Sequence, residues 1–171
     1  MRVFVASFLT AESAQRLVSA VPEVAGARSV PEANLHMTLH FIGEVPETSV
    51  DEICTTVTSL NAGSLKAQGL ALVGFPNGRN ATAVAVQLEV PERVYAWQQA
   101  LAQAWPANVQ SGRQRQRAFV PHVTLARSKR GIRLAQQALA GITLELEAPQ
   151  AYLSETLPEG ARYRALDTAL G

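Results

Sequence analysis

One cysteine, three histidines and no excess of either charge leave few chemistries open to this 171-residue chain. Cys54 alone cannot make an internal disulfide, so a reducing, cytoplasmic compartment is expected and the fold must rest on its core. Because Cys54 falls on the apolar stripe of a predicted helix, it reads as packing rather than as a nucleophile. Fifteen basic residues against fourteen acidic ones leave a net charge of +1. That balance excludes a polyelectrolyte partner held by bulk charge, and any nucleic-acid contact has to be local. No window reaches 18 uninterrupted apolar residues, so no membrane span is expected. The short apolar run Val3 to Leu9 behind Arg2 has no small-residue cleavage site after it and leads into an amphipathic segment. It reads as a first strand rather than a signal peptide.

What the chain does contain is a pattern used twice. Asn34-Leu35-His36-Met37-Thr38-Leu39-His40-Phe41-Ile42-Gly43 is echoed 86 residues later by Phe119-Val120-Pro121-His122-Val123-Thr124-Leu125-Ala126-Arg127. Two of the three histidines therefore open a His-apolar-Thr-Leu core. Strand alternation puts His36, Thr38 and His40 on one face and Met37, Leu39 and Phe41 on the other; His122 and Thr124 likewise oppose Val123 and Leu125. Each copy describes a half-buried strand flooring a cleft.

Two imidazoles across a cleft suit a reaction in which one proton is removed and another supplied. With ordinary pKa values near 6.5, one ring works as base and the other as acid near neutral pH. In-line displacement at phosphorus needs these groups on opposite sides, and Thr38 and Thr124 are placed to donate hydrogen bonds to nonbridging phosphate oxygens. A lone strand histidine is usually structural, but duplication favours function for His36 and His122. His40 keeps the structural reading, because Ala126 takes its place in the second copy. His36 and His40 cannot share a metal ion, since four strand residues span roughly 13 Å. No cofactor is required by this scheme.

In chain order, Arg2 to Leu9 reads as a strand. Thr10 caps a helix with Ala14, Leu17, Val18 and Val21 on one face, closed by Pro22. After the first histidine strand, Ser49-Val50-Asp51-Glu52 has the form of a capping box for a helix buried through Val50, Ile53, Cys54, Val57 and Leu60. Strands are predicted over Ser64 to Phe75 and Thr82 to Val90, separated by a turn at Pro76 to Asn80. Pro91 opens a helix with Val94, Trp97, Leu101 and Ala104 on one face, and the second histidine strand follows. A weaker helix over Ile132 to Leu139, a strand-like run Ile142 to Ser154 and a final strand Arg162 to Ala169 complete the chain. Each half thus reads strand, helix, histidine strand, helix, strand. An approximate twofold relating the halves makes the two imidazoles face each other.

These paired motifs resemble those of the two-histidine (2H) phosphoesterases, and within them the RNA 2',3'-cyclic phosphodiesterases long called bacterial 2'-5' RNA ligases. Arg2-Val3-Phe4-Val5-Ala6, Leu153-Ser154-Glu155 and Tyr163 extend the resemblance over nearly the whole chain. It implies an α+β fold, duplicated and two-lobed over residues 1–171, with two facing antiparallel sheets, helices outside and a central cleft. It also implies catalytic His36 and His122, phosphate-binding Thr38 and Thr124, no metal or nucleotide cofactor, and substrates that are RNA ends or nucleotides bearing a 2',3'-cyclic phosphate. Product would be a 2'-phosphate, with reverse 2'-5' joining as a side activity. The direction of proton traffic is not fixed by the motifs, with a lean toward His122 as base and His36 as acid. A monomer is expected. A noncatalytic nucleotide- or RNA-binding module is the alternative, although binding alone would not need both His-Thr pairs. Departures from the family pattern are Val30, Thr10 and His40, where Trp, Pro and a small residue are usual.

Arg127 closes the second motif as in the family, which suggests a phosphate contact, yet strict alternation turns it to the far face unless a bulge intervenes. Arg113, Arg115, Arg117, Lys129 and Arg130 flank the same strand and form a candidate steering cluster for RNA. Phe119 and Tyr163 are candidates to stack on a base, with a core role the stronger expectation for each.

Overall fold

The computed structural model describes residues 1–106 and 118–167. Strand β1, Arg2–Phe8, is buried on both faces: Val3 and Val5 enter the main core, while Phe4 and Ala6 join a separate cluster with Tyr152. Thr10 caps helix α1, Ala11–Ala20, its hydroxyl accepting from the Ser13 N–H at 3.3 Å. A two-residue strand β2, Arg28–Ser29, precedes the first motif strand β3, His36–Glu44. Helix α2, Val50–Ser59, follows. Its capping box does not form. Ser49 closes a 3-10 turn over Glu47–Ser49 in helical geometry (φ −88°, ψ −6°), so the helix is entered from that turn and the side chain caps nothing.

Strands β4, Leu65–Phe75, and β5, Ala81–Glu89, form a hairpin; helix α3, Glu92–Ala104, then leads toward the second motif strand β6, His122–Ile132. The helix expected over Ile132 to Leu139 is absent. The chain turns through Arg133–Gln136 into strand β7, Gln137–Leu146, which pairs along Leu65–Leu72 of β4. Its Ala- and Gln-rich sequence favours a helix by only tenths of a kilocalorie per residue, and closing the open edge of β4 outweighs that preference. The run Ile142 to Ser154 is likewise two strands, with β8 starting afresh at Gln150–Leu157 beyond Pro149. The last strand, β9, is Gly160–Ala165, shorter than the expected Arg162 to Ala169; Thr168 and Ala169 lie outside the described residues.

All pairing between strands is antiparallel, and the sheet runs β7-β4-β5-β6-β3-β1-β8-β9 with β2 added to β6. Its two halves join through one residue pair, Met37 opposite Val123, where β3 meets β6. These are the residues inside the two His-x-Thr triplets, so the approximate twofold passes between them. The halves correspond strand for strand: β3-β1-β8-β9 matches β6-β5-β4-β7. They also exchange material. Strand β4 follows the first motif but sits in the second lobe, and β8 follows the second motif but returns to the first. Leu17, Ile53 and Leu101, one from each helix, are fully buried in the common core. Burying each contributes roughly 1.5–3 kcal/mol. Among the described residues no helix is long and apolar enough to cross a membrane.

One core position breaks the symmetry. Ser7, opposite Met37, is 0% exposed and its hydroxyl has no hydrogen-bond partner, whereas the matching residue opposite Val123 is Val86. An unpaired buried hydroxyl costs about 1–3 kcal/mol. Ser7→Ala should therefore raise stability by about 1 kcal/mol and the midpoint of thermal unfolding by roughly 2–4 °C for a chain of this size. A lower midpoint would mean that the hydroxyl is satisfied in solution.

Candidate active site

The first half of each motif obeys strand alternation. Leu35, Met37 and Leu39 are buried while His36 and Thr38 are half-buried, and Val123 is buried between half-buried His122 and Thr124. Ladder partners show which way they face. Thr38 lies opposite Ala6 and His36 opposite Phe8, on the face of β1 that carries Phe4 and the aromatic cluster. Because β3 and β6 meet antiparallel at Met37 and Val123, His36 of one strand lies toward Thr124 of the other, and Thr38 toward His122. The four residues thus line one surface astride the junction.

Beyond the threonines, alternation fails in the same way twice. Against β1, Thr38 pairs with Ala6 but His40 with Val5, leaving Leu39 as an extra residue; against β5, Thr124 pairs with Ala85 but Ala126 with Val84, leaving Leu125 extra. Each is a β-bulge that reverses the faces of the residues just after it, up to a second slip at Ile42 in β3 and beyond Arg127 in β6. His40 consequently turns to the helix side with Val5, where its Nε2 meets the Trp105 carbonyl at the end of α3 at 2.7 Å. The shared face expected for His36, Thr38 and His40 is thus corrected for His40, which is structural. Phe41, expected opposite, turns to the cleft, 52% exposed with its ring 6.2 Å from Phe4. The equivalent flip in β6 brings Arg127 to the cleft face with His122 and Thr124. Arg28, the ladder partner of Arg127, lies beside it and donates from Nη2 to the Glu159 carbonyl at 3.0 Å.

The imidazoles are held identically. Nδ1 of His36 lies 2.7 Å from the Asn34 carbonyl, and Nδ1 of His122 lies 2.7 Å from the Val120 carbonyl, each two residues back in the chain, just before its strand begins. A carbonyl oxygen only accepts, so both Nδ1 atoms carry hydrogen and donate it. The working nitrogen is then Nε2 on both rings: bare when the ring is neutral, protonated when it is charged. This is the state an acid-base pair requires.

The surroundings differ. His36 sits in an aromatic wall, stacked on Phe8 at 4.9 Å with Phe4 at 5.3 Å and Tyr163 edge-on at 5.1 Å, whereas His122 has Phe75 at 4.8 Å. Burial holds the His36 pKa below the usual imidazole value; the hydrogen bond to Asn34 opposes this, and the charges of Arg127 and His122 add to the lowering. Tyr152, stacked on Phe4 in the same wall, has its phenol pushed up to about 12 by burial and by Glu147, so it stays neutral. Tyr163 is therefore part of the site wall. Phe119 packs edge-on against Tyr95 at 5.7 Å and against the main core. Arg113, Arg115 and Arg117 lie outside the described residues. The sequence reading missed Phe4 and Phe8 as neighbours of His36; their spacing of four on a strand was the available signal.

A family model for the 2'-5' RNA ligase superfamily matches residues 9–155. The chain is similar in structure to TT0787 of Thermus thermophilus, with 26% identity and a TM-score of 0.79 over 98% of this chain and 96% of that one. It is also similar in fold to E. coli LigT complexed with 3'-AMP, at 23% identity and a TM-score of 0.72 over 97% and 95% of the two chains. LigT complexed with NADP+ gives 21% and 0.73 over 97% and 95%. No curated protein matches the sequence.

Proposed function

The chain belongs to the 2'-5' RNA ligase superfamily of two-histidine phosphoesterases, and from that membership we propose that it opens the terminal 2',3'-cyclic phosphate of RNA or of a nucleotide, leaving a 2'-phosphate. The observation that carries this reading is the matched pair of imidazoles, each fixed through Nδ1 with Nε2 left for the cleft and each followed by a threonine on the same face.

In the proposed reaction His122 takes a proton from water through Nε2 as the water oxygen bonds to phosphorus. The bond from phosphorus to O3' breaks on the opposite side, and His36 delivers its Nε2 proton to O3'. Atoms and charge balance without a further reactant. Thr38 and Thr124 donate to the nonbridging oxygens, and Arg127 supplies positive charge to them. In the free protein, burial favours neutral His36, so its acid role depends on the bound phosphate, whose negative charge favours the protonated ring. With the 5'-hydroxyl of a second RNA end in place of water, the same groups join two ends through a 2'-5' bond; we propose this as the side activity.

The test is incubation of the protein with a nucleoside 2',3'-cyclic phosphate, with and without exhaustive chelation by EDTA, followed by identification of the product. The expected outcome is the 2'-phosphate alone, formed at the same rate in both. A 3'-phosphate, or no turnover with tight nucleotide binding, would replace this reading with another. Loss of activity in EDTA that Zn²⁺ or Mn²⁺ restores would mean a metal centre.

A further inference from the structure

Past Arg127 the ladder of β6 on β5 slips, five residues of β6 passing two of β5, and in that stretch Ser128 is buried at 7% exposure while Lys129 is exposed. Where the strand ends, its loop to β7 meets the β4–β5 turn: the Leu134 N–H donates to the Gly78 carbonyl at 2.8 Å. That contact needs the glycine, because a Cβ on Gly78 would lie 2.5 Å from the Leu134 carbonyl oxygen. Asn77 braces the turn, its Oδ1 accepting from the N–H groups of Arg79 and Asn80 at 3.0 and 3.1 Å. Between the two loops is an open groove of about 950 Å³ lined by Arg79 and Arg133.

Both arginines are exposed, and among the described residues neither has a carboxylate partner; the ion pairs are Met1 with Glu44, Lys66 with Glu145 and Arg162 with Glu155, all elsewhere. In a chain of net charge +1, two unpaired guanidinium groups on mutually fixed loops, with exposed Lys129 on the strand that leads to them, are a local concentration of positive charge. No carboxylate lines the groove, so it offers nothing to a cationic peptide, and no aromatic side chain lines it, so it offers no ring for a base to stack on. Guanidinium groups match phosphate in planar, two-point hydrogen bonding.

We propose that this groove holds the phosphodiester backbone of RNA upstream of the reacting end, so that the substrate is an RNA chain rather than a mononucleotide. The identity of the end in the cleft rests on the function proposed above; the groove does not. Measured along β5, which faces His122 at Gln87 and Ile132 at Ala81, six residues or about 20 Å separate His122 in the cleft from the end of β6 beside Arg133. A mononucleotide in the cleft cannot bridge that distance, whereas about six stacked nucleotides can, at roughly 3.4 Å each. Contact is to backbone only and is independent of sequence.

The test uses the Arg79→Gln/Arg133→Gln double variant and two substrates, a nucleoside 2',3'-cyclic phosphate and a ten-nucleotide single-stranded RNA with the same end. Binding of a fluorescent ten-nucleotide RNA with a 3'-phosphate is measured alongside by anisotropy between 50 and 200 mM salt. For the double variant, kcat/KM should fall at least tenfold on the oligonucleotide and stay within twofold of wild type on the mononucleotide. The slope of log affinity against log salt should become shallower by about 1.4, the value for two lost single-strand phosphate contacts. Unchanged RNA binding, or equal losses on both substrates, would overturn the groove. The Arg79→Lys/Arg133→Lys variant, which keeps the charge, should retain most of the binding, so a fold defect in the glutamine variant is separable. If wild type turns over neither substrate, the proposed reaction fails, and the anisotropy comparison still decides whether RNA occupies the groove.

Discussion

His36→Ala and His122→Ala should each lower kcat by roughly 10²- to 10⁴-fold, the range for loss of a positioned proton-transfer group. Their costs in stability should differ. His36 is packed by Phe4, Phe8 and Tyr163, so its removal opens space in an aromatic wall, while His122 loses one ring neighbour, Phe75. Each variant also gives up one hydrogen bond to a carbonyl two residues back, worth about 1 kcal/mol. Thermal unfolding should therefore fall further for His36→Ala than for His122→Ala, while the two losses of activity are of the same order. That mismatch separates chemistry from folding: if inactivation merely followed destabilisation, the two variants would be ranked the same way in both measurements. Activity within threefold of wild type for either would remove that residue from the mechanism.

The parts of the site legible in the sequence were those governed by period two from the start of each motif. His36, Met37 and Thr38, and His122, Val123 and Thr124, face as alternation requires because nothing interrupts the ladders there. One residue further, Leu39 and Leu125 are squeezed out as bulges, and a one-residue slip exchanges the faces of His40, Phe41 and Arg127. Neither leucine carries a local signal for this; the bulges are set by how β3 and β6 register against β1 and β5. Topology was hidden for a similar reason. Element order suggested two like halves, and the units β1-α1-β3 and β5-α3-β6 are alike, but the exchange of β4 and β8 between lobes depends on edges that exist only once the sheets form. The false helix at Ile132 to Leu139 is the same lesson at one segment: its local preference was weak, and the edge of β4 decided its state. The aromatic wall around His36 draws on β1 and β3 near the start of the sequence and on β8 and β9 more than 100 residues later.

Proton roles are decided by pH. For wild type, kcat/KM should be bell-shaped, falling about tenfold per pH unit on each side, because one imidazole must be neutral and the other charged. The limbs belong to the coupled pair, so the assignment comes from the variants. If His36 is the acid, His36→Ala leaves only the need for a neutral His122, and its residual activity rises with pH. His122→Ala leaves only the need for a protonated His36, and its residual activity falls with pH. The midpoint of that falling curve should lie below 6.5, since burial, the largest influence on His36, and the charge of Arg127 both persist when His122 is gone. In kcat the same midpoint should move upward, because the bound phosphate places negative charge beside the ring. Curves of the opposite slopes would exchange the roles, making His36 the base. A flat wild-type profile from about pH 5 to 9, with chemistry shown to limit the rate, would take both histidines out of proton transfer and leave a binding cleft.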